Sequence, residues 1–333
     1  MGSDSRGLER APVARDDTHG DTRDHAHDTH DDSCDHTREH SREHDAHASD
    51  GEPIGIDSAV IDPDVVMRQA GDENFPVAMG ILRPDHRRHL LAVYGFARLV
   101  DDIGDEAGGD RVAQLDAFED DLRRVFDGTP KLEVLRRLQP SVRELGLPIE
   151  PFLGLIEANR QDQVVRRYAT YPDLAAYCAL SADPVGRLVL HVFGRANDER
   201  VAWSDRICTA LQIVEHVQDV AEDLARDRIY LPREDMDRFG VTEADLGAPR
   251  ATPAVRRLIA FETHRATRLL REGAPLVRTL RGRERLAIAG FVAGGRAAVS
   301  AIKNVGFDVL AHRAKPDKAT LLRELSGVLV RKR

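Results

Sequence analysis

LLAVYGFARLVDDIGDE, residues 90–106, decides how this chain is read. Leu90, Leu91, Val93, Tyr94, Ala97 and Val100 recur at spacings of three and four, the period of one helix face, and lead straight into an acidic cluster. Tyr94, Arg98, Asp101 or Asp102, and Asp105 also fall three or four residues apart, so on a helix they share a side. Two carboxylates one turn apart offer hard oxygen ligands to Mg²⁺. That ion keeps several waters and commonly shares its shell with substrate phosphates. Arg98, one turn away, is placed to contact the same phosphates.

A second stretch, QIVEHVQDVAEDLARDRIYLP at 212–232, repeats the arrangement. Gln212, Glu215, Asp219 and Asp223 are spaced by three, four and four, which predicts an oxygen-rich stripe on one continuous helix. Facing helices with such stripes can clamp a diphosphate through bridging metal ions, which neutralise the charge that builds as the diphosphate leaves. The remaining pocket must be apolar, because water would capture a carbocation prematurely. A lone Asp-Asp-x-x-Asp run is most often a solvated helix face; the second stripe is what favours metal binding. The spacing is not that of a calcium loop, and Glu215-His216 lacks the Glu-x-x-His spacing of a di-iron bundle.

Outward from these motifs, helical periodicity continues. Leu115, Phe118, Leu122 and Val125 form one face, closed by Gly128 and Pro130, and Leu132, Leu135 and Leu138 begin another that ends near 146–148. Further helical stretches are predicted over 149–169, 173–195, 199–225, 253–279 and 283–310. Strand-like alternation is scarce. Residues 58–333 read as a single all-α domain, one large helical bundle around a central pocket.

Residues 1–57 are different. They are rich in His and Asp and nearly empty of large apolar side chains, so they cannot bury enough surface to offset their ordering entropy. A disordered tail is expected there. It holds 16 acidic and 6 basic residues against a whole-chain charge of −9, so the remainder is close to neutral. His19, His25, His27, His30, His36, His40, His44 and His47 could take up Zn²⁺ or Ni²⁺ weakly, but no spacing defines a closed structural site.

No basic stripe with interleaved aromatics and no zinc-finger spacing points to nucleic acid. Cys34, Cys178 and Cys208 are odd in number and scattered, which argues for a reducing compartment. No apolar signal core and no uninterrupted apolar run of membrane-spanning length is present, so a cytoplasmic or membrane-peripheral protein is expected.

Taken together, the motifs resemble those of the squalene and phytoene synthases, the head-to-head branch of the isoprenoid synthases, over nearly all of residues 64–315. The resemblance implies Asp101 and Asp105 as Mg²⁺ ligands with Asp102 in support, and Tyr94 and Arg98 at the diphosphate. The second motif in most members reads Gln-x-x-Asn-x-x-Arg-Asp-x-x-x-Asp. Gln212, Asp219 and Asp223 match it, Glu215 replaces the Asn, and Gln218 replaces the Arg. Glu215 keeps an oxygen ligand beside Asp219 and Asp223, while Gln218 removes one diphosphate contact. Arg228, Tyr230 and Pro232 match the sequence that follows, and the resemblance implies Gln212, Gln218, Arg228 and Tyr230 at the substrate.

ENFPVAM at Glu73–Met79, YCALSADPVGRLVL at Tyr177–Leu190 and the Gln before Asp219 are similar to the bacterial hydroxysqualene synthases of hopanoid biosynthesis. That implies ionisation of presqualene diphosphate and quenching of the rearranged cation by water. The alternatives are a prenyltransferase condensing two farnesyl or geranylgeranyl diphosphates, and a non-catalytic helical scaffold. No Gly-rich nucleotide loop follows a strand, which favours water over hydride from NADPH as the quench.

Tyr177 is a candidate for stabilising a cation with its π face or for assisting the diphosphate; the alternative is a core aromatic in a helix kinked at Ser181–Gly186. Phe75 resembles a pocket-lining aromatic. Arg296 and Arg313 are candidates for the basic residues that the family places near diphosphates, or else belong to a solvated face. The C-terminal LLRELSGVLVRKR is either a docked helix or a contact for anionic membrane, and a partner synthase of the same pathway is a further candidate partner.

Overall fold

A computed structural model describes residues 80–330 of the 333-residue chain. The tail expected over residues 1–57 and the candidate Phe75 lie outside the described residues. Among those described, there is no β-strand, only one parallel bridge between Arg167 and Ile229.

The opening stretch forms helix α1, Pro84–Asp105. Its N-terminus is set by Arg83, which is extended as residues before proline prefer, with Pro84 as the first helical residue. The buried side carries Leu90, Val93, Phe96, Val100 and Ile103, the three-four period read from the sequence. Phe96 is wholly buried. Its ring lies 5.4 Å from Phe118 of α2 (Arg111–Asp127) and 5.0 Å, edge-on, from Phe152 of α4 (Glu150–Val164). Removing such a ring costs about 3–5 kcal/mol, so this cluster fixes the helix that carries the first acidic motif. Helix α3, Glu133–Leu145, closes the group by packing on α1 and α2.

The predicted helix over 173–195 is two helices, α5 (Tyr171–Ser181) and α6 (Asp183–Val192), with the break at Ala182 just before Pro184, inside the segment expected to kink. A Thr170–Asp173 capping box starts α5. Gly186 lets α6 lie close on α7, Asp198–Gln218, because a Cβ there would sit 2.4 Å from Ser204 Oγ.

The predicted 199–225 helix is also interrupted. Helix α7 ends at Gln218 and α8 runs from Val220 to Ala225. Two short helices not predicted from periodicity follow, α9 (Arg233–Phe239) and α10 (Glu243–Leu246). The predicted 253–279 helix divides into α11 (Pro253–Gly273) and α12 (Pro275–Thr279). Then come α13 (Gly282–Asn304) and α14 (Lys318–Val330). Helix α13 alone among the described residues is long and apolar enough to cross a membrane, although Arg296 interrupts its apolar run. Its most apolar window is 72% buried within the bundle, as expected of a core helix.

The two motif-bearing helices are bridged by others. Helices α4 and α6 pack on α1, and α5 and α6 pack on α7, while α7 in turn lies along α11.

Candidate active site

The first motif is held from behind by α4. Asn159 donates from Nδ2 to Asp101 Oδ1 at 3.1 Å and to the Leu155 carbonyl at 3.2 Å. Gln163 donates to the Gly104 carbonyl at 3.0 Å. The closeness of α1 and α4 depends on Gly104, where a Cβ would fall 2.0 Å from Asn159 Oδ1. Asp101 is accessible to solvent by area, yet protein surrounds it on most sides, as for a group lining a recess. This desolvation pushes its carboxyl up to about 6. Asp102 is paired with Arg98 at 2.7 Å, with Glu106 3.6 Å from the same guanidinium. Burial raises the Asp102 carboxyl as well, and Arg98 opposes that. Tyr94 is half-buried on the same helix, one turn before Arg98.

The second motif is not one continuous helical stripe, which corrects the sequence reading. Asp219 is at once the end of α7 and the start of α8, with φ −105° and ψ 17°. Backbone bonds Asp219 N to Glu215 O (2.9 Å) and Asp223 N to Asp219 O (2.8 Å) keep the four-residue register across the break. Asp223 Oδ2 is buried without a hydrogen-bond partner, and His216 Nδ1 stands 3.7 Å away. Burial and then the nearby Glu222 and Asp223 raise the Asp219 carboxyl. Gln212 Nε2 meets His216 Nε2 at 3.3 Å, while Glu215 is exposed.

Gln218, expected at the substrate, donates instead to the Ala314 carbonyl, because the 305–317 segment folds back over the end of α7. That segment brings Arg313 near enough for its charge to oppose the rise at Asp219. Arg296 lies half-buried on α13.

The segment after α8 joins the two motifs. Arg228 Nη1 donates to Asp105 Oδ1 at 2.8 Å, and Arg226 Nη1 lies 3.8 Å from Asp105 Oδ2. The Arg228 side chain is buried, and its Nε has no hydrogen-bond partner. Beneath it, Asp162 accepts from Tyr177 and Tyr230. Tyr177 is thus a buried ring whose hydroxyl is engaged by Asp162, packed against Tyr168 and Tyr230 at centroid distances of 5.4 Å. Asn159, Asp162, His216 and Arg226 were missed in the sequence, since each earns its place by a tertiary contact. The glycine inside an otherwise helical motif was the one available signal of close helix approach.

The candidate metal ligands fit Mg²⁺ in kind. Asp101 is desolvated and Asp223 has an unsatisfied buried oxygen, both of which a hard cation would relieve. Among the described residues no three His, Cys, Asp or Glu side chains are gathered tightly enough to enclose an ion alone. Mg²⁺ is usually held by one or two carboxylates, with water and substrate phosphate completing its shell.

The sequence pattern of the squalene/phytoene synthases matches residues 68–320. The chain belongs to that family. It is 38% identical over 209 residues to a hydroxysqualene synthase of Rhodopseudomonas palustris, covering 62% of this chain and 70% of that protein. A presqualene diphosphate synthase of the same organism is 34% identical over 190 residues, covering 55% of this chain and 67% of that protein. The crystal structure of squalene synthase HpnC from Alicyclobacillus acidocaldarius superposes with a TM-score of 0.69 at 46% identity, covering 74% of this chain and 94% of that one. The family's all-α isoprenoid synthase fold is therefore the fold of this chain.

Proposed function

We propose that this family member converts presqualene diphosphate into hydroxysqualene and diphosphate with the help of Mg²⁺. One observation carries the reading. Arg226 and Arg228, just past the second acidic motif, converge on Asp105 of the first, and the junction leaves a buried donor, Arg228 Nε, and a buried acceptor, Asp223 Oδ2, unsatisfied. Unsatisfied buried polar atoms of both kinds suit a place that receives an anion together with its counter-ions. Similarity to hydroxysqualene synthases supports the choice of substrate. So does Gln218, whose amide is engaged by Ala314 and leaves one fewer cationic diphosphate contact than the family pattern.

In this reading Arg228, Arg226 and Arg98 bind and orient the diphosphate oxygens. Asp101, Asp105, Asp219 and Asp223 would hold Mg²⁺, with Asp102 and Glu215 beside them. When bound, Mg²⁺ supplies neutralisation of the charge gathering on the departing diphosphate. The carbon–oxygen bond breaks with its electron pair leaving on diphosphate, and the cyclopropylcarbinyl cation rearranges. A water oxygen then bonds to carbon and its proton is released. Tyr177 and Tyr230 hold Asp162 through their hydroxyls, and the space around the cation must be apolar so that no other water reaches it.

The likeness to presqualene diphosphate synthase keeps a second reading in play, head-to-head condensation of two farnesyl diphosphates. A non-catalytic scaffold is the reading least compatible with two retained acidic motifs. The same proposal places the enzyme in the cytoplasm, receiving its substrate from a partner synthase. Exposed Leu322 and Val330 on the C-terminal α14 are the groups that would meet a membrane.

Purified protein is incubated with Mg²⁺ and either presqualene or farnesyl diphosphate, without NADPH, and products are identified by mass. Hydroxysqualene from presqualene diphosphate supports the first reading. Turnover of farnesyl diphosphate alone replaces it with the second, and turnover of neither favours the scaffold.

A further inference from the structure

Asp162 is a buried carboxylate outside both acidic motifs. It sits on α4, 7% exposed, against an apolar cluster that includes Tyr168, Leu174 and Cys178. A charge in such a place is costly unless paired and hydrogen-bonded. Both its oxygens are occupied: the Tyr177 hydroxyl donates to Oδ2 at 2.7 Å and the Tyr230 hydroxyl to Oδ1 at 3.0 Å. Arg228 is near enough for its positive charge to favour the ionised form against the effect of burial.

Two of these partners lead to different acidic motifs. Arg228 bonds Asp105 of the first. The Tyr230 ring stacks on His216 with centroids 3.8 Å apart and planes 11° from parallel, and His216 faces Asp223 of the second. Tyr177 ties the same carboxylate to α5, which packs on α7. Stability alone does not explain this arrangement, since replacing buried ionic groups by well-packed apolar ones is often neutral or favourable. What a doubly bonded carboxylate adds to apolar packing is fixed direction, because each phenol is held at one point.

We propose that Asp162 is a positioning residue for the reaction: through Tyr177, Tyr230 and Arg228 it sets the two acidic motifs at the separation that receives one diphosphate with its metal ions. It touches no reacting atom, and the role rests on the functional reading above.

The test uses the full chain and the variants Asp162→Asn, Asp162→Ala, Tyr177→Phe/Tyr230→Phe and the triple combination. Binding of inorganic diphosphate in the presence of Mg²⁺ is measured by calorimetry. Hydrogen exchange over 98–105 and 216–230 is measured in metal-free protein, with circular dichroism as the check on folding. Outer partners of metal ligands typically govern affinity by 10–100-fold, so Asp162→Ala is expected to weaken binding at least about ten-fold. Asp162→Asn, which keeps an acceptor on one oxygen, should lose less. The Ala change should add little once both phenol hydroxyls are gone, and exchange should quicken in both segments.

A folded Asp162→Ala that binds Mg²⁺ and diphosphate like the wild type overturns the proposal, as does full additivity with the tyrosine changes. If Asp162→Ala does not fold, the Asn and Phe variants carry the same comparison. Failure of the functional reading shows itself separately, as wild-type protein that turns over neither prenyl diphosphate. If the wild type does not bind diphosphate at all, exchange decides: faster in both segments supports Asp162 as the link, and unchanged exchange refutes it.

Discussion

Replacing Gly104 by Ala places a methyl group 2.0 Å from Asn159 Oδ1, 2.9 Å from its Cγ and 3.2 Å from its Cβ. Asn159 can escape only by swinging its amide away, which breaks its bond to Asp101. A hydrogen bond to a charged group is worth about 1.5–3 kcal/mol. Overpacking a tight helix contact costs about 1–3 kcal/mol. Ala is better than Gly inside a helix by about 1 kcal/mol, which offsets part of this. The balance is a loss of about 2–4 kcal/mol, or roughly 4–8 °C in Tm for a helical bundle of this size. In an Asn159→Ala background the hydrogen bond and the clash with the amide are already gone and only the Cβ contact at 3.2 Å remains, so Gly104→Ala should cost much less, its residual tight contact offset by up to about 1 kcal/mol of helix propensity. Urea unfolding of the four proteins gives the coupling directly, and Mg²⁺ titration of turnover reports whether the untethered Asp101 needs more metal. An equal cost in both backgrounds, or none in either, refutes the argument that Asn159 and Gly104 set the spacing of α1 and α4.

Three further outcomes are expected. Burial, with Asp205 nearby, pushes the Asp183 carboxyl up to about 7, and unfolded it titrates near 4. Its protonated form therefore contributes stability that is complete below about pH 4 and is lost as pH rises through 7, by up to about 4 kcal/mol. Because Glu262 shifts in the same direction, the useful quantity is the difference between wild type and Asp183→Asn, which should grow from pH 4 to 7 and then level off; a flat difference in urea unfolding refutes it. Chelation of divalent ions should stop turnover and Mg²⁺ restore it, with Asp105→Asn requiring at least about ten-fold more Mg²⁺, and turnover that persists in EDTA counts against the metal assignment. Deleting residues 1–57 should leave kcat and KM within about two-fold, because those residues lack the apolar content to build part of a pocket; loss of most activity would show otherwise.

Sequence periodicity revealed α1, α2 and α13, where apolar residues recur at three and four over several turns. It missed the joint at Asp219, because HVQDVAED contains no Gly or Pro, its one cap-like pattern, Asp219 with Glu222 three residues on, lies inside the acidic motif, and its backbone register continues almost unbroken across the gap. Helices α9 and α10 are too short to show a period, although Thr242 and Asp245 form a capping box that marks the second. The acidic motifs were legible because their carboxylates lie within one or two turns of one another. Asn159, Asp162 and Arg228 act across 58, 68 and 123 residues of sequence, where no local spacing speaks. Gln218 was assigned from what the family has at that position, and the fold gave its amide to Ala314 instead.

The joint at Asp219 also determines how error spreads through the site. On one side α7 is clamped along α11 and α6; on the other, α8 is a six-residue rod with Val220 as its buried residue. At about 1.5 Å per residue, Asp223 sits roughly 6 Å out from the pivot. A ten-degree turn at Asp219 moves the far carboxylate by about 1 Å, a displacement that can cost about a hundred-fold in rate. In the proposed reaction Asp223 is therefore the end of a lever with a stiff mount, and its aim is sensitive to the pair of backbone angles at Asp219.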